Sequence, residues 1–158
     1  MFKTLIITDK ANRHFYFVNE LINNIESEIR VITNAKIINR SLLDIRKRQF
    51  SKPFYTVRNK LLNFLFKKYG ERLNAEILAT EKKYFDKQKE KFYKNNKDKE
   101  ISKVTKKDYS VNDKKFIKLI NDYKPDLIVV MGACLVSSEI INSAKYVINM
   151  HTGLSPYY

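Results

Sequence analysis

The run Asp126-Leu127-Ile128-Val129-Val130-Met131 constrains this chain more than any other segment. Five consecutive apolar residues, three of them β-branched, cannot form the half-polar stripe of a surface element. They read as a strand covered on both faces, as in a parallel sheet with helices on either side. Pro125 closes whatever helix precedes the run, and Gly132 supplies the turn after it.

The first thirty-three residues repeat the theme. Phe2-Lys3-Thr4-Leu5-Ile6-Ile7-Thr8 reads as a short buried strand. Phe15, Val18, Leu21, Ile22 and Ile25 follow at helical spacing, which predicts a helix over about 13–25. Glu28 to Thr33 is a second strand, so the segment is a βαβ unit with a right-handed crossover. Towards the other end, Phe116, Ile117, Leu119 and Ile120 predict a helix ending near Lys124. Ser137 or Ser138 is placed to cap a short helix reaching Ala144, and Tyr146-Val147-Ile148-Asn149 reads as a further strand. The fold class expected is α/β, a Rossmann-like, mostly parallel open sheet with helices on both faces.

Between these blocks the period changes. Phe54, Val57, Leu61, Leu62 and Leu65 predict a helix up to Gly70, and Leu73, Ile77, Leu78, Tyr84 and Phe85 a second one from Glu71 to about Phe92. Residues 94–108 are nearly all charged or amide side chains and read as a mobile loop or frayed helix end. The formal charge of +14 is concentrated here, since residues 46–118 hold 23 Lys+Arg and 9 Asp+Glu and the remainder balances. The expectation is a single domain over 1–158, with 46–118 as a basic helical insertion outside the sheet. No apolar run approaches the ~20 residues of a membrane span. One cysteine, Cys134, excludes an intramolecular disulfide and reads as a small apolar filler, so a cytoplasmic setting without stable membrane insertion is expected.

The chemistry is expected at Asn149-Met150-His151-Thr152-Gly153-Leu154-Ser155-Pro156, at the C-terminal end of the last strand. Residues i and i+2 of a strand point the same way, so Asn149 and His151 reach one point while Met150 turns to the core. An amide donor and an imidazole converging on one oxygen suit acyl transfer to an amine, whose tetrahedral species carries a negative oxygen. His14 reads as a surface or capping residue near the start of a helix.

Together with Pro125 to Gly132, this stretch resembles the folate-dependent formyltransferase family, which carries Asn-x-His after a buried strand, then a small-residue loop and a proline. The likeness is close over 109–158, loose over 1–44, and does not cover the basic middle. It implies catalytic roles for Asn149 and His151, and a folate pocket walled by Met131, Gly132, Ala133, Cys134 and Leu135. It also implies acceptor contacts from Asp9, Asn12, Thr152 and Gly153. The implied donor is 10-formyltetrahydrofolate, with no metal, and the implied acceptor an amine. The turn Thr8-Asp9-Lys10-Ala11-Asn12 has no glycine, unlike the phosphate loop of the purine-pathway members. A nucleotide-linked amino sugar is therefore the first acceptor, and initiator methionyl-tRNA the second. The family's catalytic aspartate and its last strands lie beyond Tyr158, so the expectation is a truncated, inactive piece of a formyltransferase. The competing reading is a non-catalytic basic module that binds RNA or an anionic membrane surface, through the stretch Phe54 to Leu73 with Arg58, Lys60, Lys67, Lys68 and Arg72 around it.

Overall fold

The computed structural model describes residues 1–35, 57, 61, 64–105 and 107–150. The chain forms two compact units, Met1–Asn39 with Lys87–Tyr158, and Arg40–Asp86. The first unit is an α/β sheet domain. Its strands are β1 (Lys3–Thr8), β2 (Glu28–Thr33), β3 (Glu100–Lys103), β4 (Leu127–Met131) and β5 (Tyr146–Met150), in the spatial order β3-β2-β1-β4-β5. All four pairings are parallel. The expected Rossmann-like architecture is what the chain adopts.

Alternation along the strands divides the core in two. On one face Leu5, Ile7, Ile32, Ile128 and Val130 pack with Phe116 and Ile120 of α4 (Lys114–Tyr123) and Ile140 of α5 (Ser138–Ile141). On the other, Ile6, Ile29 and Val31 pack with Phe15 and Val18 of α1 (Asn12–Asn24) and Phe92 of α3 (Gln88–Asn95). The Phe15 and Phe92 ring centroids stand 5.1 Å apart, a tilted aromatic contact. Burial of β1 from both sides accounts for its unbroken apolar run.

Two expectations for the middle of the chain are corrected. Residues 46–118 are not one helical insertion, because Glu100–Lys103 joins the sheet beside β2 and Phe92 and Phe116 belong to the two cores. The separate unit is the shorter Arg40–Asp86. Within it, Gly70 does not end a helix. The helix α2 (Lys67–Phe85) runs across it, with the Gly70 N–H bonded to the Phe66 carbonyl at 2.9 Å. The break falls at Lys87, whose φ of 57° lies in the left-handed region, so α2 and α3 are distinct helices where one was expected to reach Phe92. The predicted helix from Phe54 lies mostly outside the described residues.

At the N-terminal edge of the sheet, the Asp126 carboxylate accepts from the Lys3 N–H at 2.8 Å, tying β1 to the entry of β4. The Tyr123 hydroxyl donates to the Glu28 carbonyl at 2.6 Å, and burial, with Glu28 nearby, pushes its pKa up to about 12. This end is built for structure, and the cavity lies at the other.

Candidate functional site

Strand order determines where a ligand can enter. From β1 the chain moves to β2 and β3 on one side, then returns across β1 to place β4 and β5 on the other. Connections diverge between β1 and β4, leaving a crevice at their C-terminal ends, the position where open α/β sheets bind ligands. A cavity of about 700 Å³ opens there. Its wall is the segment Met131 to Val136, its rim holds Arg13 and His14 from the first turn of α1, and Asn149 and Met150 enter from β5.

Gly132 shapes this wall through its lack of a side chain. It adopts φ +67°, and a Cβ built on it would lie 2.4 Å from the His14 Cε1 and 2.6 Å from its Nε2. The His14 ring thus occupies the space that any other residue would fill, and only 5% of the residue is exposed. The sequence reading of His14 as a surface or capping residue is wrong. Nothing local in Arg13-His14-Phe15 signals its burial, which follows from the approach of the β4 turn. Gly132 itself was the available clue, since a glycine after a buried strand marks either a turn or a close approach.

Downstream of Gly132 the wall is clamped by Asn112. Its Nδ2 donates to the Leu135 carbonyl at 2.8 Å and its Oδ1 accepts from the Ser137 N–H at 2.8 Å. One amide thereby fixes the loop on both sides of Val136. The Cys134 N–H donates to the Ala35 carbonyl at 3.1 Å, anchoring the same loop to the end of β2. Cys134 is partly buried and packs on the core beside Val136, as expected of a small apolar filler. Ser137 stands at the N-cap of α5, but its hydroxyl makes no capping bond.

All five residues assigned to a folate wall, Met131, Gly132, Ala133, Cys134 and Leu135, line the cavity, and Asn149 lines it with them. Register explains Asn149: it pairs with Val130 and shares the face of Val147, which packs on the core under α4 and α5. Met150 does not turn to the core. With Tyr146 and Ile148 it occupies the opposite face of β5, and all three are exposed, because α1 and α3 cover β1 and β2 on that side. Asp9 and Asn12 do not line the cavity. Asn12 has a structural task, its Oδ1 accepting from the Lys89 N–H at 3.1 Å in the first turn of α3. His151, Thr152 and Gly153 lie outside the described residues.

Comparison with known proteins yields no match: no family model, no curated protein and no solved structure is similar to this chain by the usual thresholds.

Proposed function

We propose that this chain carries the donor site of an N-formyltransferase that moves a formyl group from 10-formyltetrahydrofolate to an amine, in the cytoplasm and without a metal. The observation that carries the reading is the shared cavity. Asn149 and the segment Met131 to Leu135 lie 14 or more residues apart in the chain, yet line one pocket at the C-terminal edge of the sheet. The lining fits the donor. Met131, Leu135 and Val136 offer apolar surface to a flat heteroaromatic ring, and Gly132 leaves the His14 edge close to it. A volume of about 700 Å³ suits a molecule of that size.

Bound there, the folate would supply the activated formyl group. The Asn149 side-chain amide, exposed at the end of β5, donates to the formyl oxygen as it becomes negative. His151, in the role that the family resemblance assigns it, would hydrogen-bond the same oxygen, accept the proton that the amine sheds and pass it to the folate nitrogen as that nitrogen's bond to the formyl carbon breaks and tetrahydrofolate leaves. The Met131–Val136 wall excludes water from one side, so that the amine is the nucleophile. The acceptor we favour is the amino group of a nucleotide-linked sugar, with initiator methionyl-tRNA second.

The test is a mass-spectrometric formyl-transfer assay with 10-formyltetrahydrofolate across nucleotide-linked amino sugars, aminoacylated tRNA and simple amines, on the protein with its full reading frame. Asn149→Ala is expected to lower turnover by about 10²–10³, the loss typical of one oxyanion donor. His151→Ala should lose at least as much, since it also removes the proton acceptor. Near-normal turnover in either variant, or no formyl product from any amine, would sink the reading.

A further inference from the structure

Outside the sheet domain, α2 carries a surface that the formyl-transfer reading does not use. None of its nineteen residues is buried. At about 100° per residue, Phe66, Tyr69, Leu73, Ile77 and Tyr84 fall within roughly 80° of arc, an apolar stripe interrupted only by Thr80, whose hydroxyl donates to the Glu76 carbonyl. Those five residues are between 44% and 67% exposed. A globular helix turns such a stripe to a core, and this one faces solvent along about 28 Å at 1.5 Å per residue.

The charges beside the stripe indicate what covers it. Arg72 and Lys83 follow one flank and Lys67 stands towards the other, with Lys68 and Lys82 towards the back. Arg72 and Lys67 are partly offset by Glu76 and Glu71, at 3.1 and 3.9 Å. Lys68 and Lys82 form no ion pair among the described residues. The whole unit Arg40–Asp86 holds 12 Lys+Arg and 5 Asp+Glu, a net +7 on 47 residues. A second copy would bring +7 against +7, so self-pairing is opposed. RNA would be drawn to the charge, but Leu73 and Ile77 at the centre of the stripe offer nothing to bases, which favour aromatic faces and arginine planes. An anionic bilayer satisfies both features. Its acyl boundary takes the Leu, Ile and Phe side chains, Tyr69 and Tyr84 lie at headgroup depth, and the lysines reach lipid phosphates and carboxylates. No helix among the described residues is long and apolar enough to cross the bilayer, so the contact is with its surface.

We propose that α2 is a peripheral docking surface for anionic lipid, lying in the plane of the membrane with the Phe66–Tyr84 stripe inserted. It follows from the second unit alone and is independent of the chemistry assigned to the sheet domain.

The experiment is vesicle co-sedimentation of the full chain, with phosphatidylcholine alone and with phosphatidylcholine mixed with phosphatidylserine. Binding is expected only to the mixed vesicles and should weaken as salt rises. Leu73→Asp with Ile77→Asp should lower the association constant about tenfold or more. Replacing Lys67, Lys68, Lys82 and Lys83 by Gln should do the same by about tenfold. Leu78→Asp changes an exposed leucine off the stripe and should leave binding within about twofold. Circular dichroism confirms that each variant keeps its helices. Absence of binding to mixed vesicles overturns the proposal, as does equal binding to both vesicle types or equal loss in Leu78→Asp. Tight RNA binding without vesicle binding, or a dimer in light scattering that the Leu73→Asp, Ile77→Asp variant dissolves, overturns it in favour of those partners.

Discussion

Two helices of this chain show similar amphipathic patterns and opposite fates. In α4, Phe116 and Ile120 are buried against Ile128, Val130 and Leu5. In α2, Tyr69, Leu73 and Ile77 follow the same four-residue spacing and remain exposed. Spacing decides only that a helix has an apolar face. Whether that face is covered depends on what the neighbouring chain supplies. The residues after α4 provide β4, a strand whose own apolar run needs a lid. The chain after α2 continues into the lysine-rich α3, with no strand among the described residues before the edge strand β3.

The largest expected effect comes from deleting matched apolar groups in the two helices. Phe116→Ala should cost about 3–5 kcal/mol of unfolding free energy, as large-to-small changes at buried aromatics do. Leu73→Ala should stay within about 0.5 kcal/mol, as surface changes do. Urea titrations followed by circular dichroism provide the comparison. A cost above about 2 kcal/mol at Leu73 would mean that its stripe is covered in the free protein.

The same contrast explains what could be read from the sequence. Strands β1, β2 and β4 are unambiguous because Leu5-Ile6-Ile7, Val31-Ile32 and Leu127 to Met131 must be covered on both faces. Strand β3 could not be recognised in this way. Glu100-Ile101-Ser102-Lys103 holds one apolar residue, lies at the sheet edge, and pairs with β2 across an irregularity between Val31 and Ile32. An edge strand needs few apolar residues, since one side of it faces solvent and charge protects it from further pairing. Phe92 was hidden differently. It stands in Gln-Lys-Glu-Lys-Phe-Tyr-Lys-Asn, where the charge of the neighbours masks a residue that meets Phe15 from 77 positions away. At the cavity, the Met131–Leu135 wall and Asn149 were legible from the strands that present them. His14 and Asn112 were not, because their contacts are made only by the folded chain.

A smaller effect is expected where the chain crosses from strand to cavity wall. Gly132→Ala places a Cβ at φ +67° and against the His14 ring, so it should destabilise by about 1–3 kcal/mol through backbone strain and crowding. Combining it with His14→Ala frees the space but not the backbone. The double variant should therefore recover part of the loss, and a double-mutant cycle that shows strict additivity would break the argument that the two residues touch. Asn112→Ala removes both hydrogen bonds to the wall loop and should cost about 1–3 kcal/mol. Faster amide exchange at Val136 and Ser137, with the α4 core unchanged, is the accompanying signature.

The smallest effect is electrostatic and separates a charge that folding uses from those it leaves in solvent. Lys115, on the first turn of α4, pairs with Asp108. The bond to Lys115 is the chief cause that holds the Asp108 carboxyl below its ordinary value, followed by the Thr105 N–H at 2.8 Å and, more weakly, the Thr105 hydroxyl. Because the folded group holds its proton less tightly than the unfolded one, the stabilisation is present above the unfolded carboxylate pKa of about 4 and is lost as pH falls through the lower, folded value. Asp108→Asn should therefore lower the melting temperature slightly at neutral pH, and the difference from the unaltered protein should vanish in strong acid. Lys115→Met removes the largest cause together with the lysine's charge but leaves both Thr105 bonds, so it should move the acid limb part of the way back to the ordinary carboxylate range. Lys82→Met in α2, a lysine with no ion pair among the described residues, should leave the acid limb in place. Melting curves across the acid range decide the matter: an Asp108→Asn deficit that persists undiminished at the lowest pH would show that the carboxylate contributes by hydrogen bonding or packing alone, without its charge.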